Sequence, residues 1–289
     1  MLRTHLCSSL TRGIHEAAVK GFTANNVASY EMGRPDYNGV AMNTVLDILK
    51  SCNKQNSYPF FVELGAGTGK FTKSLYPLLS PNWNDFFKLV VAEPMPGFNN
   101  YLKETVSNFR NVTIVSDSAT NVSVKSESIN GVLAAQAFHW FANDETMIEM
   151  SRILMTGMPM IFIWNTFDYR IPLMKDLDQL YIFPYYQSSV PRQQSKQWER
   201  VFDAGRPASR LFTPINRSLN YIKMEYSADM VVQRVLSTSV IAELPQAKKD
   251  QINNDVLNFL RTHPDSRNID PAGLYPMQYE TEVVWFNKL

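Results

Sequence analysis

Two carboxylates and the glycines near them carry the clearest chemical signal in the sequence. Glu63 opens the run Glu63-Leu64-Gly65-Ala66-Gly67-Thr68-Gly69-Lys70, and Glu93 follows 24 residues beyond Gly69. Small residues let a ligand lie against the backbone, and Glu63 sets a carboxylate beside that floor, which suits a ligand with a cationic amino-acid end. An acid at the next strand tip can accept hydrogen bonds from both hydroxyls of a ribose. Together they predict a nucleoside ligand with a positively charged tail. The plainer alternatives are a Glu63 that caps a neighbouring helix and a Glu93 that only sits in the turn before Pro94.

Spacing separates this run from two other glycine motifs. A phosphate-cradling P-loop needs glycine five positions before Gly69 and Ser or Thr after Lys70, where the sequence has Leu64 and Phe71. A dinucleotide fingerprint needs its third glycine at position 70, which is Lys70.

Such residues require a strand, a glycine turn and a helix to hold them. Residues 60–64 have strand character and residues 70–79 read as a helix. The alternation continues with strands at 88–92, 111–115, 131–135 and 160–164 and helices at 97–109 and 145–154, after an earlier helix at 38–51. Strands alternating with helices predict a mainly parallel sheet covered on both faces, which binds ligands at the carboxyl ends of its strands. Beyond Asn165 the rhythm stops. Residues 168–213 are crowded with aromatics, among them Tyr169, Tyr181, Tyr186, Trp198, Phe202 and Phe212. An insertion that packs its own small cluster and a lid over a pocket both have this composition. A strand at 218–224, helices at 229–239 and 246–262, and a strand at 280–287 complete the reading.

Further motifs bear a family resemblance. They are Tyr30-Glu31-Met32-Gly33-Arg34-Pro35-Asp36-Tyr37, the glycine run through Thr72, Val91-Ala92-Glu93-Pro94, Ala134-Ala135-Gln136-Ala137-Phe138-His139-Trp140-Phe141, and Thr281-Glu282-Val283-Val284-Trp285. From about residue 15 onward the chain resembles the class I S-adenosylmethionine-dependent methyltransferases. Within them it is similar to the methyltransferase type 11 branch that includes trans-aconitate methyltransferase-like proteins. The resemblance implies an α/β, Rossmann-like fold: a seven-stranded, mostly parallel sheet with helices on both faces, the last strand antiparallel, and a helical, aromatic insertion after strand five. It implies S-adenosyl-L-methionine as cofactor and S-adenosyl-L-homocysteine as product. By position, Glu63, Gly65 and Gly67 would surround the methionine part, Glu93 the ribose, Asp117 and Ser118 the adenine edge, and Gln136 the sulfonium side, with Thr68 and Pro94 also among the cofactor-binding residues. The chain departs from the branch at Met155-Thr156-Gly157-Met158-Pro159, where relatives carry Pro-Gly-Gly, and at Asn130, where they often carry Asp.

The expected organisation is an extension at 1–15 and one methyltransferase domain at 16–289. That domain divides into a cap segment at 16–55, a cofactor-binding core at 56–167, a substrate-side insertion at 168–217 and a part completing the sheet at 218–289. Methyl transfer from a sulfonium is an in-line displacement, so alignment is the protein's main contribution. Three residues are candidates for a catalytic part. His139 follows the fourth strand and titrates near neutrality, so it is either a base or a ring that orients the turn beside Trp140 and Phe141. Tyr30 lies in the segment that folds over the cofactor or acceptor in this family. Arg34, in the same segment, would clamp an acceptor carboxylate or stand at a helix entry on the surface.

Composition narrows the partners. Hydrophobic residues make up 45% and charged residues 19% of the 289, which suits a globular chain with a large core. Lys and Arg number 28 against 27 Asp and Glu, and a net charge of +1 gives no field for nucleic acid or an anionic membrane. No apolar run approaches the roughly 18 residues of a membrane span. Cys7 and Cys52 do not make a disulfide framework or a zinc knuckle. His5, His15, His139 and His263 lack ligand spacing, so no metal is expected. The prediction is a soluble, cytoplasmic enzyme that methylates a small molecule, with a carboxylate-bearing metabolite as the acceptor to test first. The acid-free first 15 residues leave a mitochondrial address open. A catalytically weak S-adenosylmethionine-binding regulatory or scaffold protein is the alternative.

Overall fold

A seven-stranded sheet organises the computed structural model, which describes residues 27–37, 39–55, 58–268 and 272–289. The expected extension at 1–15 lies outside the described residues. Strands β1 (Phe60–Leu64), β2 (Lys88–Ala92), β3 (Val112–Val115), β4 (Gly131–Ala135) and β5 (Pro159–Phe167) run parallel. The last strand, β7 (Tyr275–Asn287), is antiparallel to β5 and to β6 (Asn216–Tyr226), so the order is β3-β2-β1-β4-β5-β7-β6. The chain moves outward from β1 to β3 on one side and from β4 onward on the other. That reversal opens a crevice at the carboxyl ends of β1 and β4.

Helices cover both faces, which is why the central strands are apolar at nearly every position. On one face Phe61, Leu133 and Ile161 pack with helices α2 (Gly39–Cys52) and α3 (Lys70–Asn82) through Val45, Leu49, Phe71 and Leu75. Phe98 and Leu102 flank the start and middle of α4 (Asn99–Thr105), and Leu102 joins the same cluster. On the opposite face Val62, Val132 and Phe162 meet Met147 and Met150 of α5 (Asp144–Ile153). Asn143 caps α5 by accepting the Thr146 N–H at 2.8 Å, with Asp144 and Glu145 favourably placed in its first turn. A third cluster joins α6 (Pro172–Tyr181), α7 (Ala228–Leu236) and α8 (Gln246–Thr262) to the outer ends of β5, β6 and β7.

That third cluster explains where strand lengths exceed expectation. β7 begins at Tyr275 rather than 280 because Tyr275, Met277 and Tyr279 bury their side chains against these helices. The helix expected at 97–109 is instead a single 3-10 turn at Pro96–Phe98 followed by α4, which stops at Thr105. Ser107 and Asn108, weak helix formers, lie beyond it. The aromatic segment forms no cluster of its own: Trp198 and Phe212 join the core under the main sheet, and Tyr185 and Tyr186 join the third cluster. At the unusual turn, the Gly157 N–H donates to the Lys288 carbonyl at 2.9 Å. Asn130 accepts the Phe60 N–H at 3.0 Å and turns its amide nitrogen toward the Met155 and Met158 sulfurs. Neither departure reaches the crevice.

One more helix, α1 (Val27–Gly33), lies across α7 and reaches over the carboxyl edge of the sheet.

Candidate active site

The glycine turn leaves β1 with Gly65, Gly67 and Gly69 all in the left-handed region, at φ +63°, +59° and +84°. Gly65 and Ala66 donate their N–H groups to the Ala92 carbonyl at 2.9 and 3.3 Å, tying the turn to the end of β2. A Cβ placed on Gly67 would meet nothing within 4 Å, so this position is an open floor that only glycine keeps bare in an unstrained backbone. Glu93 closes the arrangement. Its Oε2 accepts the Gly67 N–H and its Oε1 the Met95 N–H, both at 2.7 Å, leaving further lone-pair capacity on each oxygen. Burial pushes Glu93 up to about 7, partly offset by those two bonds.

A cleft of about 650 Å³ stands above this turn, with Gly65, Gly67, Glu93 and Pro94 on one side and Asp117, Gln136 and the aromatic rings of Phe98 and Phe141 around it. A smaller space of about 340 Å³ continues from it over Gly65 and Ala66, beside Tyr37 and Lys70. A third pocket, of about 590 Å³, is lined by polar side chains that include Arg34, His139, Asn165, Arg192 and Arg234. Tyr30 and Gln136 line all three spaces, and Trp140 lines the first and third. Gln136 holds that junction in a left-handed conformation (φ +54°) while its Nε2 donates to the Asn165 carbonyl at 2.7 Å.

The sequence-predicted residues divide into those that line this system and those behind it. Gly65, Gly67, Glu93, Pro94, Asp117 and Gln136 line the cleft, and Tyr30, Arg34 and His139 line the adjoining spaces. Glu63, Thr68 and Ser118 line none of the three spaces. Glu63 accepts from Thr72 Oγ1 at 2.7 Å beneath the turn, its Oε1 is buried without a partner, and burial pushes its pKa up to about 8. The expectation of a Glu63 carboxylate exposed beside the ligand is therefore corrected: alternation along β1 turns it toward α3, and it supports the turn from below. Thr68 contributes its carbonyl, which accepts from Thr105 Oγ1 at 2.8 Å, and the Ser118 hydroxyl pairs with that of Thr120 at 3.0 Å.

His139 does not have the geometry of a base. Trp164 Nε1–H, which can only donate, approaches His139 Nδ1 at 3.3 Å, so the neutral ring carries its proton on Nε2. Burial, aided by Arg34, pushes its pKa down to about 3. The ring is a neutral donor that also packs beside Trp140, with ring centroids 5.0 Å apart.

Lys70, the residue that breaks the dinucleotide spacing, donates to the Glu31 carbonyl at 3.2 Å and to Asp36 Oδ1 at 2.8 Å. It pins the segment carrying Tyr30 and Arg34 down onto the glycine turn. Tyr30 packs edge-on to Phe98 at 5.8 Å, and burial raises its phenol above the usual value, so it stays neutral near pH 7. Sequence reasoning missed Phe98, Arg192 and Arg234. A signal for the last was present: Arg234 falls three residues after Val231 and one before Val235, on the apolar face of α7.

Comparisons with known proteins point to methyltransferases. Residues 62–162 match Methyltransf_11, a methyltransferase domain. An uncharacterized methyltransferase-like protein of Schizosaccharomyces pombe is 28% identical over 253 residues, covering 86% of this chain and 90% of the relative. A second uncharacterized methyltransferase of that yeast is 26% identical, covering 91% and 97%. Among solved structures, the YcgJ protein from Bacillus subtilis superposes with a TM-score of 0.52 at 12% identity, covering 85% of this chain and 98% of that one, which is a likeness of fold. Residues 62–162 are thus matched by a methyltransferase domain model, and the chain over most of its length is similar to proteins named as methyltransferases.

Proposed function

We propose that this enzyme transfers the methyl group of S-adenosylmethionine to a small, carboxylate-bearing acceptor. One observation carries the reading: the cleft holding Glu93 and the polar pocket holding Arg34 meet at Tyr30, Gln136 and Trp140. The residues present fit the cofactor. Glu93 has capacity for a ribose diol, Phe98 and Phe141 offer apolar walls to an adenine, and the bare Gly67 floor admits the chain that joins them. The bound sulfonium supplies an activated methyl and a neutral leaving group.

The protein's own part is alignment. Tyr30 and Gln136 stand at the junction, where they would orient a bound donor toward the third pocket, and holding two partners in line lowers a barrier by about 7–11 kcal/mol in favourable systems. No Asp, Glu or Lys lines the acceptor pocket among the described residues, and His139 already carries its proton on the free nitrogen. An acceptor oxygen that is already anionic needs no base, which favours a carboxylate over an alcohol or a protonated amine. The test is incubation with methyl-labelled S-adenosylmethionine and a panel of small carboxylic acids with their matched amides and alcohols. Label is expected in products of the acids; tight cofactor binding with no transfer to any acid would defeat the reading.

A further inference from the structure

The third pocket contains buried positive charge that no ion pair among the described residues balances. Of its three guanidiniums, Arg192 is neutralised by Asp178, whose two oxygens accept from Nη2 at 2.5 and 2.6 Å. Arg34 and Arg234 form no ion pair among the described residues. Arg34 donates only to the neutral Ser237, from Nε to Oγ and from Nη2 to the carbonyl, each at 3.2 Å. Arg234 is 7% exposed, donates Nη1 to Thr238 Oγ1 at 3.5 Å, and has a buried Nε with no hydrogen-bond partner. The Phe167 ring lies 4.5 Å from the guanidinium carbon, and the neutral Tyr279 phenol also interacts with this side chain.

Neighbouring buried charges of one sign are costly, and the cost is offset when an opposite charge joins them. Burial lowers the Arg34 pKa and the Arg234 charge lowers it further, as mutual repulsion requires. The juxtaposition is built into the backbone. A Cβ on Gly33 would lie 2.4 Å from the Arg234 nitrogen, so glycine is what lets α1 settle on α7 and bring Arg34 to this site. Arg34 also lines the small space over Gly65, whereas Arg234 lines the acceptor pocket but neither space of the cofactor system.

We propose that Arg34 and Arg234 form a paired-guanidinium subsite for a dianionic oxygen-rich head group on the acceptor, with Arg234 as its dedicated anchor. Guanidinium forks match carboxylate and phosphate oxygens alike, so a dicarboxylate and a phosphate share the required chemistry. The inference rests on the third pocket being the acceptor site.

The test is calorimetry on protein saturated with S-adenosylhomocysteine, using succinate, inorganic phosphate and the uncharged succinamide as probes. Succinate or phosphate is expected to bind at least tenfold more tightly than succinamide, and the stronger of the two identifies the head group. Arg234→Met is expected to weaken that binding at least tenfold while leaving S-adenosylhomocysteine affinity within twofold, and Arg234→Lys to fall between. Should Arg234→Met lose its fold by circular dichroism, Arg234→Lys carries the comparison with an expected loss of at least threefold. Equal binding in wild type and the folded variant, equal binding of succinamide, or no binding of either dianion would overturn the subsite. Each of those results leaves the methyl-transfer reading standing, which fails instead if wild type does not bind S-adenosylhomocysteine.

Discussion

The proposed cofactor cleft and the proposed acceptor pocket share a wall and are built in opposite ways. The cleft is made at the tips of adjacent strands from backbone and small residues: the Gly65–Gly67 turn hangs from the Ala92 carbonyl, and Glu93 clasps the Gly67 and Met95 N–H groups. Its glycine floor and its carboxylate clasp come from one short stretch of chain, residues 65–95. The acceptor pocket is made of long side chains from distant segments, with Arg34 from the end of α1, His139 after β4, Arg192 from the aromatic segment and Arg234 from α7. One site is fixed by local backbone geometry, the other by how helices pack. On the proposed reading, the first recognises a shape common to many proteins of this fold, while the second sets what the enzyme acts on.

Variants sharpen that contrast. Glu93→Ala removes both the acceptor for a diol and the clasp on the turn. Hydrogen bonds to a charged group are worth about 1.5–3 kcal/mol each, so affinity for S-adenosylhomocysteine should fall on the order of 100-fold by calorimetry. A loss under threefold would mean that the cleft does not hold the ribose as described. His139→Gln keeps an acceptor for Trp164 Nε1–H, so turnover should fall less than about tenfold, against the roughly 10²–10⁴ that a general base contributes. The rate profile between pH 5 and 8 should also keep its shape in this variant; a wild-type limb near pH 6.5 that vanishes on substitution would restore the histidine as a base.

Glu63→Gln should have the smallest effect on function, leaving S-adenosylhomocysteine affinity within about threefold, because the side chain lies beneath the turn. Its signature is in stability. Burial raises Glu63 to about 8 in the folded protein, above the ordinary carboxylate value that the unfolded chain restores. Between those values the folded state binds more protons, so stability falls as pH rises through that window. Glutamine does not titrate. The melting temperature of the unliganded variant should therefore gain on wild type by a few degrees from pH 5 to pH 8, and parallel curves would place the Glu63 carboxylate in a wetter setting.

What could be read in the sequence follows the same division. The antiparallel last strand was legible only through the family resemblance, whereas the strand-turn-helix unit at 60–79 and the alternation that follows it are written in local periodicity and glycine spacing, which act over a few residues of chain. Glu93, Gly65 and Gly67 were legible for that reason. Strand ends at 167 and 275 were not, because they are set by burial against helices far away in sequence.

By itself the sequence determined the sheet, the bare turn and the carboxylate at the second strand tip, since backbone sterics and hydrophobic period are local properties. Tertiary structure alone decided that Glu63 faces α3 instead of the cleft, that Trp164 fixes the His139 proton, and that Gly33 brings together two arginines without an ion pair among the described residues. These depend on which groups meet across the fold, and charge and proton placement are set by neighbours in space.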